Sequence, residues 1–115
     1  MKTQGALDTD SEMGQEQLLA RLSRDMRARL GKHLRRLVLF GSRARGDARA
    51  DSDYDILVVV DEVNRNVTDA VDEIAGEMLY RFGIVVSAFP TSEEDTRSRK
   101  YSPLLMNIAK EGVSV

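Results

Sequence analysis

Residues 40–55 read Phe40-Gly41-Ser42-Arg43-Ala44-Arg45-Gly46-Asp47-Ala48-Arg49-Ala50-Asp51-Ser52-Asp53-Tyr54-Asp55, a polar stretch held between two apolar runs. Leu37-Val38-Leu39-Phe40 leads in and Ile56-Leu57-Val58-Val59-Val60 leads out. Short β-branched runs of this kind predict strands. The second is apolar at odd and even positions alike beyond Asp55, which predicts a central strand covered on both faces. The polar stretch therefore falls where one strand ends and the next begins, the region in which α/β folds place ligands.

Outward from this stretch the chain reads as helix, strand, strand, helix, strand, helix. Upstream, Leu19, Leu22, Met26 and Leu30 recur at three- and four-residue steps with arginines between them, predicting an amphipathic helix over residues 12–30 closed by Gly31. Residues 1–11 are expected to form a frayed leader, leaving 12–115 as the domain. Downstream, Val67, Val71, Ile74, Met78 and Phe82 form a second helical stripe that ends at Gly83, with Asn66 or Thr68 as its cap. Residues 84–89 predict a third strand stopped by Pro90. Thr91 with Glu94, or Ser92 with Asp95, carries a capping-box pattern. Ser102-Pro103 starts a last helix that ends at Gly112, and residues 113–115 suit a short final strand.

At 115 residues the chain suits one domain. It has no Cys, which excludes a disulfide scaffold and a thiolate metal site and suits a reducing cytoplasm. No apolar run has the length of a membrane span, and the N-terminal residues lack the apolar core of a signal peptide. The net charge is -2, yet bases prevail between Arg21 and Arg49 and acids between Asp51 and Glu77. Pairing inside a small domain accounts for this asymmetry, and the few aromatics offer no platform for stacked bases, so nucleic acid is not expected as a direct ligand. The single His33 has no Cys or second His with which to share a metal. Ser42 stands in no nucleophile-elbow context, which sets a Ser-His-Asp hydrolase aside.

Alternate residues of a strand face one way, so Asp53 and Asp55 project together with backbones roughly 6 to 7 Å apart. Two converging carboxylates repel, and a divalent cation relieves the repulsion; oxygen ligands without nitrogen or sulfur point to Mg²⁺ or Mn²⁺. The alternative is that these aspartates accept backbone or arginine hydrogen bonds, as an isolated D-x-D commonly does. What precedes them favours the cation. Gly41 permits a tight backbone turn, and the N–H groups of the residues opening a short helix at Ser42 can meet an anion. Ser42 adds a hydroxyl, while Arg43, Arg45 and Arg49 add positive charge. Together these suit a nucleoside triphosphate with its metal.

Three other motifs fail on inspection. Gly41 and Gly46 have P-loop spacing, but Asp47 and Ala48 stand where Lys and Ser or Thr are required. Asp51, Asp53, Asp55 and Glu62 match EF-hand positions, but Ile56 replaces the turn glycine and a β run follows. Arg45-Gly46-Asp47 as an adhesion tripeptide is a chance match in such a chain.

Gly41-Ser42-Arg43-Ala44-Arg45-Gly46 followed by Ser52-Asp53-Tyr54-Asp55 resembles the signature of minimal nucleotidyltransferases of the DNA polymerase beta superfamily. The resemblance implies a small α/β (α+β) fold, a mixed sheet with flanking helices. It implies that Gly41 and Ser42, with Arg43 and Arg45 nearby, hold the phosphates of ATP or another NTP, and that Asp53 and Asp55 bind Mg²⁺. Such proteins often pair with a small helical HEPN-domain protein as toxin and antitoxin, and some transfer AMP to the partner. The expectation is thus a nucleotidyltransferase moving a nucleoside monophosphate from an NTP to a hydroxyl, with a HEPN protein as candidate acceptor. The base, the acceptor and the oligomeric state are left open.

One departure qualifies the resemblance. The family's catalysts usually carry a third carboxylate on the strand after the long helix, where it helps to activate the acceptor hydroxyl. That strand here, Ile84-Val85-Val86-Ser87-Ala88-Phe89, has none. The alternative expectation is therefore a weak or inactive nucleotidyltransferase-fold antitoxin that neutralises its partner by binding.

Overall fold

A computed structural model describes residues 13–115. The expected leader, residues 1–11, and the expected first residue of the first helix, Glu12, lie outside the described residues. Helix α1 (Gln15–Leu30) buries Leu18, Leu22, Met26 and Leu30 at a constant step of four. Leu18 rather than Leu19 begins this stripe; Leu19 lies one residue round the helix and packs half-buried at the margin of the core. A single 3-10 turn, Gly31–His33, leads into β1 (Leu34–Phe40).

Next come a four-residue helix α2 (Ser42–Arg45), β2 (Tyr54–Val60), the long helix α3 (Arg65–Phe82) and β3 (Val86–Ser92). Helices α4 (Glu93–Ser98) and α5 (Pro103–Glu111) follow, and β4 (Val113–Ser114) closes the chain. The sheet has four strands in the order β3-β2-β1-β4. β1 pairs antiparallel with β2 and with β4. β2 and β3 run parallel because α3 crosses over between them.

Both faces of the sheet are covered, as the unbroken apolar run of β2 predicts. Leu37, Leu39, Ile56, Val58 and Val60 pack on one side with the apolar stripes of α1 and α3. Val38, Phe40, Leu57 and Val59 pack on the other with Ile108 of α5. No buried side-chain polar atom among the described residues lacks a partner.

Two boundaries differ from the sequence reading. Asn64, not Asn66 or Thr68, caps α3: its side-chain oxygen accepts the Val67 N–H at 3.0 Å. The helix begins at Arg65, ahead of the first apolar residue of its stripe, so its polar first turn was invisible to periodicity. Pro90 does not stop β3, which starts two residues later than Ile84 and runs through Pro90, paired with Val58, to Ser92. β3 is an edge strand, and a proline there removes no hydrogen bond the sheet needs. Ser92 caps α4 by accepting the Asp95 N–H at 3.0 Å. Ser102 caps α5 by accepting the Leu105 N–H at 3.3 Å, with Pro103 as its first residue.

Candidate functional site

The register of the sheet assembles the site. Asp55, half-buried, is flanked by Phe40 of β1 on one side and Ser87 of β3 on the other. Asp53 lies exposed just before β2, and the Ser87 hydroxyl donates to its Oδ2 at 3.4 Å. Because Phe40 sits opposite Asp55, the next residue, Gly41, meets the Asp55 carboxylate. A Cβ at position 41 would collide with Asp55 Oδ2. Gly41 also adopts φ 79° and ψ -158°, a conformation that side chains disfavour. The torsion calls for glycine, and any side chain here would also force the Asp55 carboxylate to shift.

From Gly41 the backbone tightens into α2. The N–H groups of Ala44 and Arg45 both donate to the Gly41 carbonyl at 3.0 Å. Among the described residues the N–H groups of Ser42 and Arg43 and the Ser42 hydroxyl have no acceptor. They remain available as donors one residue from the Asp55 carboxylate.

The arginines of the motif divide. Arg43 turns away from the dyad and ties the following loop to the body of the protein. Its guanidinium donates to the carbonyls of Ser52 at 3.0 Å and Ala50 at 3.1 Å and to Gln15 Oε1 at 3.3 Å. It also stacks 4.2 Å from the centre of the Tyr54 ring. Burial pushes the Tyr54 hydroxyl above its ordinary pKa, and Arg43 opposes the shift. Arg45 stays at the turn, pairing with Asp47 at 3.3 Å and with Glu111 at 3.2 Å. Hydrogen bonds that it donates to Asp47, and then to Glu111, hold its guanidinium more firmly protonated than usual.

Asp55 is pushed above the ordinary carboxylate range, first by burial and then by the charge of Asp53, while Arg45 pulls it back. This repulsion is what a divalent cation would relieve, so the dyad suits one. Among the described residues no three His, Cys, Asp or Glu side chains converge as a complete metal cage. Two carboxylates leave room for water and phosphate oxygens, the coordination that Mg²⁺ prefers. Two of the acids after β3 are engaged elsewhere: Glu93 faces Arg35 at 3.4 Å and Glu94 faces Arg97 at 3.4 Å.

Glu111 was not foreseen as part of the site. The last residue of α5, it accepts the Gly41 N–H at 3.0 Å as well as bonding Arg45. Its only trace in the sequence is its place before Gly112 and a short apolar tail, which becomes informative once β4 is known to pair with β1.

The chain matches the family model described as a nucleotidyltransferase domain over residues 19–112 and belongs to that family. A Methanocaldococcus jannaschii protein named as a protein adenylyltransferase is 29% identical over 100 residues, which cover 87% of this chain and 96% of that protein. Among solved structures, a minimal nucleotidyltransferase is 28% identical with a TM-score of 0.62 over 91% of this chain and 99% of that one. A chain from the complex of tri-AMPylated Shewanella oneidensis HEPN toxin with MNT antitoxin superposes with a TM-score of 0.59 at 20% identity, over 88% of this chain and 71% of that chain. The last likeness carries the fold alone. The expected minimal nucleotidyltransferase fold is borne out, with a four-stranded mixed sheet and flanking helices.

Proposed function

We propose that this nucleotidyltransferase transfers AMP from ATP to a hydroxyl of a protein partner, and that the partner is a HEPN-domain toxin. The observation that carries the reading is the contact between the Gly41 turn and the Asp55 carboxylate, which sets unpaired N–H donors beside a carboxylate dyad. A relative named as a protein adenylyltransferase and the fold shared with a HEPN-toxin complex supply the acceptor class. A cysteine-free chain without a helix long and apolar enough to cross a membrane, among the described residues, suits work on ATP in the cytoplasm.

In this reading Asp53 and Asp55 hold Mg²⁺, which when bound neutralises the charge developing on the phosphates. Gly41 lets the triphosphate approach the backbone closely, and Ser42 donates its N–H and hydroxyl to phosphate oxygens. Arg45 steadies the leaving pyrophosphate by charge. Arg43 keeps the loop carrying Asp53 in place and contributes to phosphate binding only through the position of that loop. The acceptor oxygen attacks the α-phosphorus, the bond to the pyrophosphate oxygen breaks so that pyrophosphate leaves, and the acceptor's proton passes to water.

Ser87 gives weight to a second reading. It stands opposite Asp55 on the strand where the family resemblance implies a third carboxylate, and a hydroxyl is a poor base for that proton. A slow or silent enzyme that neutralises its partner by binding would have this site. Incubation of the chain and a co-expressed HEPN partner with labelled ATP and Mg²⁺ separates the two. AMP on the partner from wild type and none from Asp53→Asn supports transfer; equal labelling by both, or none by either, overturns it. A partner that stays bound and neutralised by Asp53→Asn with Asp55→Asn supports masking.

A further inference from the structure

Glu111 lies where an anionic ligand would bind. Its Oε2 accepts the Gly41 N–H at 3.0 Å, and the Arg45 guanidinium reaches both carboxylate oxygens, at 3.2 and 3.4 Å. One donor is a backbone N–H of the turn and the other is the cation that remains at the site. We infer that the Glu111 carboxylate is a built-in competitor for phosphate, one that the triphosphate must displace from Gly41 and Arg45 in order to bind. The inference rests on the proposed nucleotide site and adds to it a residue that sets its affinity.

The fold delivers this carboxylate. Val113 and Ser114 pair with Leu39 and Val38, so the chain leaving α5 is anchored on β1 just ahead of Gly41. Between them Gly112 packs so closely that a Cβ there would strike the Ile108 carbonyl and Val38 Cγ1. Glu111 is thus held beside the turn from both sides. Its side chain is only 25% exposed against 48% for Arg45, so the carboxylate is tucked in beneath the guanidinium. A pair in that position is screened by salt less than a fully exposed one.

Charge decides the direction of the effect. With Asp47 and Glu111 both on Arg45, the cation is already neutralised before any ligand arrives. Asp53 and Asp55 add two further negative charges on the far side of Gly41. A triphosphate without a cation meets the repulsion of Asp53 and Asp55 beside an arginine already paired with two carboxylates, whereas a triphosphate carrying its cation can exchange partners with Glu111. Displacement would also free the end of α5 beside β4, next to the sheet edge.

The test is calorimetric titration of the full chain with Mg-ATP, Mg-tripolyphosphate and adenosine. Wild type is compared with Glu111→Gln, which keeps an acceptor for Gly41 but removes the charge, and with Glu111→Ala. Competition predicts that both variants bind Mg-ATP and Mg-tripolyphosphate about tenfold more tightly, with adenosine unaffected. Unchanged or weaker binding by both overturns the inference and leaves the nucleotide reading standing. Failure of wild type and variants alike to bind either phosphate ligand overturns both. A second measurement needs no variant: the ¹⁵N–¹H signal of Gly41 and the ¹³C signal of the Glu111 carboxyl in wild type should shift together as Mg-ATP is added. A Glu111 signal unmoved at saturation also overturns the inference.

Discussion

Gly41 and Asp55 touch across the β1–β2 pair: the α-carbon of one faces the carboxylate of the other with no space for a Cβ between them. The contact couples the turn proposed to receive phosphate to the strand at whose start the acidic dyad lies. Gly41→Ala should therefore damage both. The positive φ and the collision together are expected to lower stability by about 2 kcal/mol or more, read as a fall in the midpoint of urea unfolding. Mg-ATP binding, followed by calorimetry, should be lost even where the variant remains folded. Binding at wild-type affinity would show that the turn does not hold the phosphates.

Arg43 and Arg45 look alike in the sequence and do different work in the fold. Arg43→Ala removes the stack on Tyr54 and the bonds to Ser52 and Ala50. It should lower stability by about 1–3 kcal/mol, measured by urea unfolding. Arg45→Ala breaks an exposed pair with Asp47 and a partly exposed one with Glu111, and should lower stability much less than Arg43→Ala does. Its effect should be on Mg-ATP affinity, a loss of about tenfold. Interchange of these two outcomes would reverse the assignment of the arginines.

Which parts of the site the sequence could show follows from how far each partner lies along the chain. Asp53 and Asp55 straddle the start of one strand, and Gly41 and Ser42 follow the end of its neighbour, so period and spacing place them together. The contacts of Arg43 were not legible because its direction depends on Tyr54, Ser52 and Gln15, the last of which belongs to another element. Glu111 was hidden because a two-residue strand brings it to Gly41 from the far end of the domain. Pro90 was read as a stop because edge position, which makes it harmless, is a property of the sheet and not of the segment. The buried stripes of α1 and α3 were legible because helical periodicity is local.

His33 and Asp61 close the end of the sheet opposite the site, with His33 Nδ1 and Asp61 Oδ2 at 2.8 Å. The bond to His33 holds Asp61 below its ordinary value of 3.8; burial opposes it, and the Glu62 N–H and nearby positive charge add smaller lowering effects. The unfolded chain then binds more protons than the folded one as the pH falls through that range. The stabilisation is complete above 3.8 and disappears as the pH drops below the lowered folded value. Asp61→Asn should melt lower than wild type near neutrality, and the gap should close in acid. A gap that is constant with pH would deny the charge any role.

Ser87 sits opposite Asp55 and donates to Asp53, so its side chain points at the dyad from the strand where a third acid is absent. Ser87→Asp would place a carboxylate where the hydroxyl now stands. Without a cation, three carboxylates would crowd there and stability should fall, and Mg²⁺ should restore it, read as a larger magnesium-dependent rise in melting temperature than wild type shows. With a partner and labelled ATP, AMP transfer should accelerate by about tenfold to a hundredfold, the range expected for a base placed at an attacking hydroxyl. Acceleration would mean that Ser87 limits the natural enzyme. An unchanged rate together with the Mg²⁺-dependent stabilisation would mean that the acceptor's proton leaves by another route, through the partner or through Asp53 and Asp55 themselves.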